Sequence, residues 1–170
     1  MTRKTILLAL TVLALLSCNN SSDKKTASID QKEKITSTNK KQAKMKLNSG
    51  IVTEKLAETK KFYLEILGFG VTFENEFYLL LHTPNQGAEI SFLLPNHPSQ
   101  QTLFQKPFAG EGVYLTIEVD DVDKIYNDLK NKGVEIKIDI RDEPWGDRHF
   151  AIQDPNGIGI DIVKYSPQNK

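Results

Sequence analysis

The chain has 170 residues and a single cysteine, Cys18. No intrachain disulfide can form, so any folded part must hold by its core alone. No run of eighteen apolar residues is present, and the longest uncharged apolar stretch, Ile6 to Leu16, has eleven. That is too short to span a bilayer as a helix. There is no Gly-rich phosphate loop and no Gly-x-Ser-x-Gly elbow, so neither phosphate cradling nor that serine chemistry is expected. Histidines number three, which limits imidazole-rich metal sites. A basic stripe is also missing. Residues 1–46 hold ten Lys and Arg against three Asp and Glu, whereas the remaining 124 hold twelve against nineteen. The zero formal charge thus hides a basic N-terminal segment and an acidic remainder, which argues against nucleic acid as a partner.

What is present begins with a leader. Arg3 and Lys4 precede the apolar run, and Leu15-Leu16-Ser17-Cys18 follows. This resembles the bacterial lipoprotein signal, which implies a signal peptide over 1–17, with Cys18 lipidated at the mature N-terminus. The chain is then expected to be exported and held by lipid on the bacterial cell envelope, and no free thiol nucleophile is left. Residues 18–46 are rich in Ser, Thr, Asn, Gln and Lys and show neither helical nor strand periodicity. They read as a solvated tether, about 30 Å long on average as a flexible coil.

Residues 47–165 read as one domain with a modest core, and 166–170 as a tail. The spacing predicts a strand near Leu47 to Thr53, then a helix from Leu56 to Leu67 with Gly68 as its stop. Strands follow near Val71 to Glu74, Phe77 to His82 and Glu89 to Leu94. The Pro-, Gln- and Gly-rich segment from Pro95 to Gly112 reads as a linker or loop. The order then repeats. Val113 to Val119 alternates, Asp120 or Asp121 can cap a helix bearing Val122, Ile125, Tyr126 and Leu129, and Glu135 to Ile140 alternates with Ile136, Ile138 and Ile140 inward. Arg148 to Gln153 and Ile158 to Val163 flank an Asp154-Pro155-Asn156-Gly157 turn. The fold class is therefore α+β, two βαβββ modules with about 66 residues between equivalent first strands. One sheet face is apolar. The other carries Tyr114, Thr116, Glu118, His149, Gln153 and Asp161, a wet face or a place to hold a small molecule.

The runs FYLEILGF (62–69), PWGDRHF (144–150) and DPNG (154–157) resemble the vicinal oxygen chelate superfamily, which includes glyoxalase I, bleomycin-resistance proteins and extradiol dioxygenases. The resemblance covers about residues 45–165. It implies modules that curl their sheets into a cup with ligand inside, built within one chain or across a homodimer, the homodimer being expected. It also implies metal positions, which fall here on Asn48, Ser91, Tyr114 and Asp161. Only Asp161 is a good donor to a divalent ion, so no cofactor is expected.

Glu118, His149 and Asp161 form an alternative metal set on the polar face, with a hydrogen-bonded or solvated arrangement as the plainer reading. His82 and His97 are expected at the surface. Asp142, Glu143 and Asp147 read as a solvated loop rather than a calcium site, and Trp145 as core or pocket rim.

The first functional expectation is a metal-free cup that binds a small organic molecule through Asn48, Ser91, Tyr114, Glu118, His149, Gln153 and Asp161. Its acidic lining favours a cationic or hydroxylated ligand. The second is a glyoxalase-like lyase or isomerase, with His149 or Glu118 as general base and a divalent metal as electrophile. The third is an envelope scaffold with a vestigial cup.

Overall fold

The structure is a computed structural model and describes residues 45–167. The leader, Cys18 and most of the tether lie outside the described residues. Among the described residues no helix is long and apolar enough to cross a membrane.

The first module runs β1 (Ser49–Val52), α1 (Leu56–Glu65), β2 (Gly70–Glu74), β3 (Tyr78–His82) and β4 (Glu89–Leu93). A turn of 3-10 helix, Thr102–Phe104, interrupts the linker. The second module repeats the order as β5 (Tyr114–Glu118), α2 (Val122–Asn131), β6 (Ile138–Asp142), β7 (Arg148–Gln153) and β8 (Gly159–Lys164). Each module forms its own four-stranded mixed sheet, β1-β4-β3-β2 and β5-β8-β7-β6. The first strand of each lies parallel to the last, and the other pairs are antiparallel. The duplicated α+β architecture expected from the sequence is thus the one observed.

Both helices end where a residue must take positive φ. At Gly68 (φ +72°) the chain reverses, so that Phe69 N–H donates to the Tyr63 carbonyl. At Gly133 (φ +78°), Val134 N–H reaches the Leu129 carbonyl and Gly133 N–H that of Lys130, a Schellman closure. α1 ends at Glu65, two residues short of the expected limit, because Ile66 and Leu67 already belong to that reversal. Of the two candidate caps for α2, Asp121 does the work, accepting from Lys124 N–H at 3.0 Å.

The helix-facing sides of both sheets join one core. Tyr63, Leu79, Leu81 and Phe92 from the first module and Phe150, Ile152, Ile160 and Ile162 from the second are almost wholly buried in it. Each contributes roughly 1.5–3 kcal/mol relative to exposure. The β7–β8 turn is pinned to α1. Asp154 accepts from Ile158 N–H, Asn156 N–H and the Tyr63 hydroxyl, and Thr53 donates to Asn156 Oδ1. The DPNG turn is therefore a clasp between the modules as well as a hairpin.

One expectation fails in β6. That strand begins at Ile138, not Glu135, and its register against β7 slips between Ile138 and Arg141. The bulge turns Ile138 onto the face opposite the helices, where it is 40% exposed, while Ile136 and Ile140 pack on the core. It also sets Arg141 opposite His149.

Candidate functional site

The sheet faces turned away from the helices differ in chemistry. On the second sheet the registers give three cross-strand rows: Tyr114–Gly159–Gln153, Thr116–Asp161–Ala151–Ile138 and Glu118–Val163–His149–Arg141. On the first sheet the rows are Val52–Leu93–Tyr78, Gly50–Ser91–Leu80–Phe73 and Glu89–His82–Gly70. The first two of these rows are largely apolar, with half-buried Val52, Tyr78, Leu80 and Leu93 and an exposed Phe73, whereas the third carries Glu89 and His82.

His149 organises the polar face. Its Nδ1 lies 2.7 Å from Asp161 Oδ1 on the next strand, a diagonal reach past small Ala151. Its Nε2 lies 2.9 Å from Glu143 Oε1, and Glu143 in turn takes a 2.7 Å hydrogen bond from Arg141 Nε. Ionised carboxylates only accept, so both ring nitrogens must carry hydrogen. Desolvation lowers the pKa of His149, but the hydrogen bonds to Asp161 and Glu143 and their charges outweigh it, and the net shift is upward. Glu143 is held below the ordinary glutamate value, first by its bond to His149, then, against the cost of desolvation, by Arg141. The unit is a fixed imidazolium between two carboxylates. It has no lone pair to accept a proton or bind a metal while the geometry holds.

The residues expected from sequence fall into separate places. Asp161 and His149 meet, as described. Glu118 lies in the row of His149 with Val163 between them, and both ring nitrogens of His149 are taken by Asp161 and Glu143. Gln153 Nε2 donates to the Gly157 carbonyl inside the hairpin turn. Tyr114 is 69% exposed at the start of an outer strand. Ser91 is buried beside Gly50, with its hydroxyl donating to the Ser49 carbonyl at 3.3 Å. Asn48 borders a cavity of about 260 Å³ beside the β5 edge.

Those positions test the implied metal. Asn48, Ser91 and Tyr114 offer only neutral oxygens, Ser91's hydroxyl points to backbone, and Asp161 is engaged by an imidazolium. The set does not fit a catalytic divalent ion. Among the described residues no group of three or more His, Cys, Asp or Glu is arranged to hold one.

Sequence reasoning missed Glu143 and Arg141 as partners of His149. Glu143 was visible only as part of an acidic loop, whose three members part ways. Asp142 pairs with Arg148 at 3.0 Å, Glu143 turns to His149, and buried Asp147 accepts from Ser166 N–H and Trp145 Nε1. Trp145 itself is 60% exposed. The two other histidines, expected at the surface, are half-buried. His82 lies over Gly70, and His97 stacks on Phe77 with ring centroids 3.6 Å apart.

A larger cavity, about 650 Å³, opens between the modules, bounded by the end of α1, the β3–β4 turn, the end of β5 and α2. Glu118 lines it, whereas His149 and Asp161 line neither cavity.

The geometry has counterparts among known proteins. A glyoxalase/bleomycin resistance protein/dioxygenase from Nocardioides superposes with a TM-score of 0.60 at 18% identity, over 73% of this chain and 85% of that one. A member of the same superfamily from Sphaerobacter thermophilus gives 0.57 at 23% identity, over 72% and 98%. A bleomycin-binding protein complexed with bleomycin gives 0.54 at 20% identity, over 72% and all of that chain. These likenesses are of fold. No curated protein matches the chain in sequence. The family model described as Glyoxalase/Bleomycin resistance protein/Dioxygenase superfamily matches residues 46–162, nearly the whole described domain, and the chain belongs to that superfamily.

Proposed function

We propose that the protein binds a small organic molecule without a metal, in a cup assembled from two half-sites across a homodimer. The observation that carries this reading is the unlike pair of open sheet faces on one chain. The first face is a patch of Val52, Tyr78, Leu80, Leu93 and Phe73, and the second holds the Arg141–Glu143–His149–Asp161 unit. An apolar wall supplies burial and a fixed polar wall supplies orientation, which is the usual division of labour in a ligand pocket. A two-fold axis that sets the apolar face of one copy against the polar face of the other makes two identical cups. The bleomycin complex among the structural neighbours is consistent with a cup that takes bulky organic ligands.

The charge on the polar wall departs from the sequence expectation. Arg141 and the His149 imidazolium offset Glu143 and Asp161, and Glu118 adds one further carboxylate to their rows. Hydrogen bonding rather than net charge then selects the ligand, and a neutral molecule rich in hydroxyl or amide groups on an aromatic or aliphatic body fits best. The engaged imidazolium also weakens the lyase reading, since His149 is not poised as a base.

We further infer that the protein is exported and lipid-anchored through Cys18, on the strength of Arg3, Lys4, the Ile6–Leu16 run and Ser17-Cys18. Radiolabelled palmitate should enter the wild-type protein in bacterial cells and not Cys18→Ser.

For the cup, a ligand library is screened by thermal shift on the full chain. A saturable stabiliser whose effect is lost in both Leu80→Glu and Asp161→Asn is the expected result. Near-stoichiometric nickel, zinc, iron or manganese in protein purified without chelator, lost in Asp161→Ala, would overturn the metal-free reading.

A further inference from the structure

The register slip of the second sheet falls on β6, an outer strand that ends the polar wall. At the slip Asp139 and Ile140, consecutive in the chain, both turn toward the helices. Asp139 Oδ1 accepts the Tyr126 hydroxyl of α2, and Ile140 packs on the core. The flanking residues Ile138 and Arg141 are thereby both sent to the open face, opposite Ala151 and His149. There Ile138 is 40% exposed and the Arg141 side chain 58%. One bulge thus sets a cation and an apolar group in adjacent rows of the wall.

A guanidinium offers five N–H donors in a rigid, planar fork. Arg141 gives two of them to one oxygen, since Nε and Nη2 both lie 2.7 Å from Glu143 Oε1. No other group among the described residues accepts from it, so both Nη1 hydrogens and the second Nη2 hydrogen have no protein acceptor there. Glu143 is itself held at 2.9 Å by the His149 imidazolium, so the plane of the fork is set from the neighbouring strand. Arg148 is the contrast. Its Nε and Nη2 donate to Asp123 and its Nη1 lies 3.0 Å from Asp142, so all three of its nitrogens are engaged. Open donors fixed in a plane beside an apolar group call for a carbonyl oxygen on an apolar body. An amide or a carboxylate supplies that oxygen, and a group that only donates does not.

We propose that Arg141 is the residue that anchors the ligand on the polar wall, taking a carbonyl oxygen of an amide or carboxylate on its outward N–H groups while the apolar body packs on Ile138. This rests on the proposed cup and narrows its ligand to molecules that carry such an acceptor. A cation that only donates hydrogen bonds is rejected.

The test uses 2-naphthamide and 2-naphthamidine, closely matched in shape, the first with a carbonyl oxygen where the second has a donor nitrogen. The full chain, with nitrogen-15 arginine and methyl-labelled Ile, Leu and Val, is titrated in detergent micelles, each probe against a micelle blank. The expected result is saturable binding of the amide, with shifts at the Arg141 guanidinium nitrogens and the Ile138 methyls and none at Arg148. The amidine should bind about tenfold more weakly, and Arg141→Leu should bring the two probes within about twofold of each other. Both ring nitrogens of His149 should stay protonated in Arg141→Leu as in wild type. The proposal would be overturned by equal binding of the two probes, by a preference that survives Arg141→Leu, or by no saturable shift with the amide. It would also fall if His149 lost a ring proton in Arg141→Leu, since Arg141 would then act by positioning the imidazolium. The cup is read separately, at the Leu80 and Leu93 methyls. Shifts there with Arg141 silent would keep the cup and remove this anchor. Shifts at Arg141 and Ile138 with Leu80 and Leu93 silent would keep the anchor and remove the apolar wall of the second copy.

Discussion

An imidazole with a carboxylate oxygen against each nitrogen satisfies both contacts only when doubly protonated, and His149 is in that position. Its pH behaviour follows. The raised pKa of His149 contributes stability that is full below its ordinary value of 6.5 and is lost as pH rises through the folded value. The lowered pKa of Glu143 contributes stability that is full above 4.5 and is lost as pH falls through its folded value. Between those limits the unit is fully formed. The charged groups that face it are Asp161 on β8, Arg141 on β6, Glu143 in the following loop and, across Val163, Glu118 on β5. Nitrogen-15 shifts of His149 should show both ring nitrogens protonated at pH 6, with a titration midpoint above 6.5. The stability advantage of wild type over His149→Gln, measured by urea unfolding, should be largest near pH 5–6 and shrink toward pH 9. A constant advantage across that range would mean that the ring acts by packing alone.

At the scale of elements, the clasp between the β7–β8 turn and α1 is the contact most exposed to a single substitution. Asp154 is buried and accepts four hydrogen bonds, from Ile158 N–H, Asn156 N–H, Asn156 Nδ2 and Tyr63 Oη. Asp154→Ala strips partners from donors that stay buried and should cost about 2–4 kcal/mol in chemical denaturation. Tyr63→Phe removes one donor at 3.3 Å, keeps the ring packed against Phe69 and Phe92, and should cost about 1 kcal/mol. Equal losses for the two would show that the turn is held by the ring rather than by the carboxylate. This clasp explains why the DPNG and FYLEILGF runs betrayed the fold so readily: the same residues set local turns and join the modules. Alternation at 113–119 and 148–153 was equally legible, because a strand with one buried face must alternate. The alternation of Ile136, Ile138 and Ile140 misled, because a bulge changes which face a residue takes without changing the pattern itself. The His149 unit was half legible for the same reason. Asp161 and His149 share a face by period, but Arg141 reaches it only through the bulge, and Glu143 lies beyond the strand where no periodicity applies.

For the whole molecule, the question is where the two open faces find cover. Both project away from the shared core, so within one chain each faces away from the helices. Four half-buried apolar side chains beside an exposed Phe73 make a surface that a monomer would keep wet at a cost. β1 and β5 are both outer strands, and residues near them, Leu47, Val113 and Tyr114, are among the most exposed apolar groups described. A dimer that sets one copy's β1 module beside the other's β5 module answers all of this at once, and makes a sharp spatial prediction. In a mixture of methyl-labelled and unlabelled chains, filtered nuclear Overhauser spectra should connect the Leu80 and Leu93 methyls of one chain to the His149 ring or Tyr114 ring of the other. Sedimentation should show a dimer, and Leu80→Glu should shift it to monomer by placing a charge in the apolar wall. A dimer in which those cross-chain signals are missing would mean that the copies meet elsewhere and that the two faces never form one cup. A stable monomer at high concentration would mean that each face binds alone. Either outcome removes the apolar wall from the polar one, and with it the division between burial and orientation on which the proposed recognition depends.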